Sequence, residues 1–465
     1  MTEPHSSPKL AAADPAAAPV RACAPPAGAW REIAAASVGN ALEFYDLLVY
    51  GYFAITLARL FFPTGDELSS LLLSVGTFGL SFVMRPLGAV VLGAYADRVG
   101  RKRALTASIL LMMVGTGMIA ITPTYASIGA WAPAIVILAR LVQGFSTGGE
   151  FGAATAFMVE HAPAARRGFY ASWQAATQGL ATVMAAGLSA LITAGLSPQQ
   201  VDDGGWRIAF AFGMLIGPVG FYIRRHVAET PEFVAAQGGA RTARSPLRAL
   251  MSGNRSALLL GGGVVAGITG FNYVQKVYMP TFAVKQLHIA PSSALFCAVV
   301  TGLMLMIFSP LFGSLSDRLG RRRCMLVALA LVALSTWPLF ALLVAWPSVA
   351  TLLVVQAIVG VLLAAILAPM PALLAELFPI ATRGSGLAIS YNASVTIFGG
   401  FAPLIVTWLI GASGNKMSPS FYVLATALVS LGALACLRPP RRAPAVGADG
   451  SRLQGEPRCV SAPQS

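Results

Sequence analysis

Twelve apolar runs, most of them near the ~20 residues a helix needs to cross a bilayer, recur along this chain of 465 residues. Few patterns constrain a fold more, because backbone inside hydrocarbon must satisfy its own hydrogen bonds, and only helices and closed barrels do so. The runs predict helices near 33–61, 68–96, 104–124, 132–159, 168–195 and 206–223, then near 256–283, 293–316, 324–345, 349–375, 385–411 and 419–437. Hydrophobic residues make up 56% of the chain and charged ones 11%, against roughly 25% charged in soluble domains. A soluble enzyme and a disordered chain are both excluded. The expected fold class is an all-α membrane protein with twelve transmembrane helices.

The longest polar stretch between spans, Arg224 to Arg255, divides the runs six and six. The expected organisation is a cytoplasmic tail at 1–30, a six-helix bundle at 31–224, a cytoplasmic central loop at 225–255, a second six-helix bundle at 256–437 and a cytoplasmic tail at 438–465. The first tail is rich in Ala and Pro, reads as disordered, and lacks the apolar segment of a secretory signal. Of the 32 Lys and Arg, Arg85, Arg140 and Lys276 fall within spans, and Arg59, Arg207, Lys285 and Lys416 fall at odd-numbered connections. All the others lie in the tails and even-numbered connections, which the positive-inside rule assigns to the cytoplasm. The formal net charge of +14 therefore sets topology, and no nucleic-acid partner is expected. Five scattered cysteines and four histidines offer neither a disulfide framework nor a metal-ligand spacing.

The chain repeats itself. Gly93-Ala-Tyr-Ala-Asp97-Arg98-Val-Gly100-Arg101-Lys102-Arg103 returns as Gly313-Ser-Leu-Ser-Asp317-Arg318-Leu-Gly320-Arg321-Arg322-Arg323. Glu160, Pro163, Arg167 and Gly168 return with the same spacing as Glu376, Pro379, Arg383 and Gly384. Two matched loops in the same order make the halves structural repeats, the build of transporters whose site lies between two bundles. A carboxylate at a helix end, beside a Gly turn and several cations, is suited to pair with neighbouring helix ends. Gly93, Asp97, Arg98, Gly100 and Arg101, with Gly313, Asp317, Arg318, Gly320 and Arg321, are therefore candidate conformational latches.

These loops, with Arg140-Leu-Val-Gln143-Gly144-Phe-Ser-Thr-Gly148-Gly149-Glu150 on span four, resemble the major facilitator superfamily. Asn40-Ala-Leu-Glu43-Phe-Tyr-Asp46, Met84-Arg85-Pro86-Leu-Gly88 and Glu229-Thr-Pro-Glu232-Phe narrow the resemblance to its metabolite–proton symporters. Gly168-Phe-Tyr-Ala-Ser-Trp173-Gln174 and Gly205-Trp206-Arg207-Ile208 look most like the citrate and tricarballylate carriers. The resemblance covers residues 31–437. It implies the major facilitator fold, alternating access, location in the cell inner membrane and protons as the coupling ion, with no cofactor. The implied substrate is a small carboxylate, citrate or a related tricarboxylate. Oxoglutarate or another dicarboxylate, shikimate, and osmolytes such as proline or betaine remain alternatives within the family. A transporter-like sensor is a more distant one. No nucleophile–base pair, metal motif or nucleotide loop suggests an enzyme, and a single copy is expected to function alone.

A charged side chain at the bilayer centre costs ~2.5–3.5 kcal/mol on insertion scales, so each is a functional candidate. Glu43, Asp46 and Glu150 oppose Arg85, Arg140 and Lys276. At ~100° per residue, Asn40, Glu43, Asp46 and Tyr50 share one helix face. Arg140, Gln143, Thr147 and Glu150 share another, while Gly144, Gly148 and Gly152 repeat at a spacing that allows close helix packing. Arg85 lies roughly 18 Å from the cytoplasmic Asp97 at ~1.5 Å per residue, and its guanidinium can grip a carboxylate in two places. Substrate-binding candidates are Arg85, Asn40, Arg140, Gln174, Lys276 and Asn392, with Gln178 and Tyr391 as further hydrogen-bonding groups. Arg140 reads equally as a coupling residue. Lys276 either lines the cavity or snorkels outward. Glu43, Asp46 and Glu150 are the proton-coupling candidates.

Overall fold

The computed structural model describes residues 29–99, 101–148, 155, 158–159, 162–225, 255–378 and 383–437. Helix stands at each of the twelve expected places. Among the described residues, eight helices are long and apolar enough to cross a membrane, a bent pair passes as a ninth when taken as one span, and Thr106–Ile121 and Trp131–Thr147 are shorter apolar helices. The expected tails and central loop fall outside the described residues apart from their edges. So do Glu150, Gly152 and Gly100, together with the side chains of Asp97, Arg98 and Arg101.

Spans one to six are built from Ala29–Tyr52 with Ala54–Phe61, Glu67–Val83 with Arg85–Val99, Arg101–Ile121, Trp131–Thr147, Arg167–Gly195 and Trp206–Arg225. Spans seven to twelve are Arg255–Tyr273 continuing to Leu287, Pro291–Leu319, Arg321–Ala345, Val349–Leu367 with Met370–Glu376, Arg383–Ser394 continuing to Ser413, and Ser418–Cys436. Span one, expected as one helix near 33–61, is two helices bent by 63° at Phe53. Spans two, seven, ten and eleven are also interrupted, and proline explains why. Pro86, Pro280, Pro371 and Pro403 have no N–H to give the carbonyl four residues back. Span two breaks at Met84, and spans seven and eleven widen into π-helical turns at Val274–Tyr278 and Val395–Gly400. Such π turns recur at functional positions. The carbonyl of Phe82, which Pro86 cannot serve, lies 2.9 Å from the Thr396 hydroxyl of span eleven.

Within the first half, span one packs on five and six, and span three on four and six. Within the second, seven packs on twelve and eleven, and eight on ten. The halves meet along spans five and eight, two and eleven, and one and seven. The five–eight seam is a run of close glycine contacts. A Cβ on Gly168 would stand 2.7 Å from the Gly313 carbonyl oxygen, and one on Gly179 would stand 2.7 Å from that of Gly302. The two pairs are reciprocal in an antiparallel register, so both backbones approach as only glycine permits.

At the end of the molecule carrying the Asp-Arg loops, the Asp317 carboxylate accepts hydrogen bonds from the backbone N–H groups of Gly168 (2.8 Å) and Phe169 (2.9 Å). These are first-turn amides of span five, which have no partner within their own helix. Asp317 also pairs with Arg321 at 3.1 Å, and Arg321 pairs with Glu376 at the end of span ten. Gly320 has φ +93°, a conformation that favours glycine. Arg318 is exposed, and a Cβ on Gly93 would meet nothing within 4 Å among the described residues. At the opposite end Lys285 of span seven pairs with Glu67 of span two, and Arg59 with Asp202.

Candidate transport site

The polar face of span one meets a different neighbour at each turn. Asn40 donates its amide to the Gln174 carbonyl (2.9 Å) and the Thr177 hydroxyl (3.1 Å) of span five. Glu43 forms an ion pair with Arg85 of span two at 3.2 Å. Asp46 accepts hydrogen bonds from Thr116 (2.7 Å) and Gln143, and its carboxylate lies 3.9 Å from Arg140. Tyr50 donates to the Ser74 carbonyl at 3.2 Å.

The two buried arginines share an Nε without a hydrogen-bond partner among the described residues and differ in what their other nitrogens meet. Arg140 donates to Gln143 (2.8 Å) and Ser81 (3.3 Å), and its guanidinium lies over the Tyr50 ring at 4.4 Å. Arg85, 3% exposed, has Glu43 on one side and the Phe82 ring 4.2 Å from its guanidinium carbon. Its Nε is buried with no hydrogen-bond partner among the described residues. Buried donors are nearly always satisfied, so such a group requires a reason. Across the seam, Tyr273 of span seven meets Phe82 edge-on with ring centroids 5.3 Å apart. Tyr273 and Tyr391 are both electrostatic neighbours of the Arg85–Glu43 pair.

Lys276 does not snorkel. It is 2% exposed, its Nζ has no hydrogen-bond partner among the described residues, and it lies 5.0 Å from the centre of the Phe44 ring. Asn392 donates to the Gly148 carbonyl at 3.0 Å and so bridges spans eleven and four. The Gln174 side-chain oxygen accepts from Thr155 at 3.2 Å, while its nitrogen and the Gln178 side-chain oxygen are buried without partners among the described residues. A cavity of about 30 Å³, lined by Glu43, Asp46, Ser108, Thr116 and Ser146 among others, has room for about two water molecules.

The structure thus brings Glu43 and Arg85, and Asp46 and Arg140, together in the first half, with Lys276 of the second half buried against Phe44 of span one. Asn40 and Asn392 act within it as helix bridges. Sequence reading missed Thr116 and Thr396, since threonine is common in spans and only tertiary neighbours single these out. It also missed the Phe82–Tyr273 contact.

Two six-helix halves with charge pairs buried inside the first are the build of a secondary transporter. The family comparisons agree. A model described as "Sugar (and other) transporter" matches residues 33–257, and one described as "Major Facilitator Superfamily" matches residues 258–460. The chain is 38% identical to a citrate-proton symporter of Klebsiella pneumoniae, over 89% of this chain and 93% of that one. It is 36% identical to a citrate-proton symporter of Salmonella typhi, over 88% and 94%. The fold matches the partially occluded, inward-open xylose transporter XylE from E. coli with a TM-score of 0.73 at 17% identity, covering 89% of this chain and 99% of that one. The chain belongs to the major facilitator superfamily, in its metabolite–proton symporter family.

Proposed function

We propose that the protein imports a small carboxylate, citrate or a related tricarboxylate, together with protons, as a monomer in the cell inner membrane with both termini cytoplasmic. The excess of Lys and Arg in the tails and even-numbered connections supports that orientation. The observation that carries the reading is the Arg85–Glu43 pair, in which a buried guanidinium facing the other half has one carboxylate and an unused Nε. A protein carboxylate and a substrate carboxylate compete for the same fork. A proton on Glu43 weakens its hold on Arg85, and a substrate carboxylate then replaces it bidentately. Proton and anion therefore enter together, and neither is favoured alone. Asp46, held by Thr116, Gln143 and Arg140, is the second proton-coupling candidate, and the cavity beside both carboxylates offers a route for protons. Glu150 is the third on sequence grounds.

The halves would rock about the site, with the Asp-Arg loops as latches. The test is uptake of labelled citrate into proteoliposomes, with and without an inward proton gradient, against unlabelled tricarballylate, oxoglutarate, shikimate and betaine. Wild type should accumulate citrate only under the gradient. Glu43→Gln should keep citrate exchange and lose its response to the gradient. Gradient-driven accumulation that survives unchanged in Glu43→Gln removes Glu43 from the mechanism. Accumulation of a competitor instead of citrate reassigns the substrate.

A further inference from the structure

One turn of span seven is crowded with polar atoms that have nothing to bind. Asn272 Oδ1, the Tyr273 hydroxyl, Gln275 Oε1 and Lys276 Nζ are all buried without a hydrogen-bond partner among the described residues. They stand beside or within the π-helical turn Val274–Tyr278, which widens the helix where Pro280 cannot serve the Lys276 carbonyl. Among the described residues the charges are also unevenly matched. Arg85 is paired with Glu43 and Arg140 with Asp46, whereas Lys276 has the Phe44 ring beside it and no carboxylate, Glu150 lying outside the described residues. A ring face attracts a cation by about 0.5–2 kcal/mol, whereas an unpaired buried ammonium costs several kcal/mol. Such a group is retained where an anion completes it.

Its position relative to Arg85 is set by two routes of contact. Lys276 touches Phe44, whose chain neighbour Glu43 pairs with Arg85. Tyr273, one turn before Lys276, meets Phe82, over which the Arg85 guanidinium lies. Close approach of spans one and seven is built in, since a Cβ on Gly51 would stand 2.5 Å from a Val277 methyl.

We propose that Lys276 is the second carboxylate anchor of the transport site: it binds one carboxylate of a polycarboxylate whose other carboxylate is held by Arg85. The substrate then bridges span two of the first half and span seven of the second. This inference rests on the reading above that the chain carries a carboxylate. It adds the reason that a polycarboxylate is preferred: a monocarboxylate or a zwitterion leaves one of the two cations unanswered. It also links binding to closure, because only the approach of the halves brings both cations to one molecule.

The experiment measures binding and thermal unfolding of the purified full-length protein with citrate, glutarate and butyrate as three-, two- and one-carboxylate probes. Wild type should bind citrate and glutarate much more tightly than butyrate. Lys276→Met should unfold at a higher temperature than wild type without ligand, because it removes a buried unpaired charge, yet bind citrate about tenfold or more weakly. Its preference for citrate over butyrate should collapse, and Lys276→Arg should restore most of it. A Lys276→Met protein that binds citrate as tightly as wild type, with the same preference, overturns the anchor and leaves carboxylate transport standing. If that variant does not fold, wild type decides: equal affinity for glutarate and butyrate overturns the second anchor. Failure of all three probes to bind wild type overturns both readings.

Discussion

Asp46 and Glu43 sit one turn apart and are held very differently, which separates their roles. Asp46 receives Thr116, Gln143 and the more distant Arg140, so it is bound into the first half. Removing one partner of such a buried pair leaves an uncompensated charge and costs about 3–5 kcal/mol. Asp46→Ala should therefore destabilise strongly, and the double variant Asp46→Ala with Arg140→Met should recover part of the loss. A double-mutant cycle of detergent-unfolding temperatures checks this, and additive effects would show that the two are not coupled. Arg85 has the Glu43 carboxylate as its ion-pair partner, without the Gln143 and Ser81 hydrogen bonds that hold Arg140. Arg85→Lys keeps the charge and loses the two-point geometry, so citrate uptake should fall by about tenfold or more at normal expression. Near-normal uptake would reduce Arg85 to a point charge. The charges themselves were legible in the sequence, since a span tolerates few and each marks itself. Their partners were not. Ser81, Thr116, Phe44 and Phe82 are ordinary residues of a span until the fold sets them against a cation or a carboxylate.

The spans and their helical packing were legible to different depths. Hydropathy placed the helices within several residues apart from the end of span four, which lies outside the described residues, because the bilayer's thickness dictates length, and the four-residue spacing of Gly144 and Gly148 correctly marked a packing face. A Cβ on Gly144 would stand 1.7 Å from the Ser81 carbonyl oxygen, and one on Gly148 1.9 Å from that of Arg85. Gly144→Ala must separate spans two and four and should abolish stable expression. Gly93→Ala meets nothing within 4 Å among the described residues and should express like wild type, although Gly93 belongs to the repeated loop. Fluorescence-detected size exclusion of both variants tests the contrast, and equal profiles would contradict it. The glycines of the five–eight seam were not legible, because nothing local tells Gly179 that Gly302 is its neighbour. The π turns were equally hidden, as proline signals a break without saying which way the chain relaxes. At the start of span two, Asp66 caps the helix through Ser69 at 2.8 Å, and hydrogen bonds from the Ser69 hydroxyl and N–H hold its carboxyl below the usual value. With the folded value depressed, the cap's contribution is complete above the ordinary carboxylate range and is lost as pH falls through the folded value. Hydrogen exchange at Ser69 should accordingly show less protection at low pH, relative to uncapped amides, and Asp66→Ala should remove the difference.

At the scale of the whole molecule the two ends are closed by unequal means, and the inequality predicts which end opens more readily. The cytoplasmic end of the proposed topology has the Asp317 carboxylate, buried and bound to two amides of span five, above the Gly168–Gly313 contact. Hydrogen bonds to a charged group contribute about 1.5–3 kcal/mol each. The outer end has Lys285 paired with a largely exposed Glu67, and exposed pairs contribute about 0–1 kcal/mol. Removing Asp317 should therefore shift the open population at its end by about tenfold or more, while Glu67→Gln should move the outer end little. The readout is a single cysteine at Ser172, which a Cβ on Gly313 would touch at 2.6 Å, placed in a chain whose native cysteines are replaced. Maleimide labelling from the cytoplasmic face should accelerate by about tenfold in Asp317→Ala and be unchanged in Glu67→Gln. Citrate should slow it again in Asp317→Ala if substrate draws the halves together, since ligand bound to the closed form opposes the missing latch. Labelling that is equally slow with and without Asp317 would mean that the glycine seam alone keeps this end shut, and the repeated Asp-Arg loops would then serve topology rather than motion.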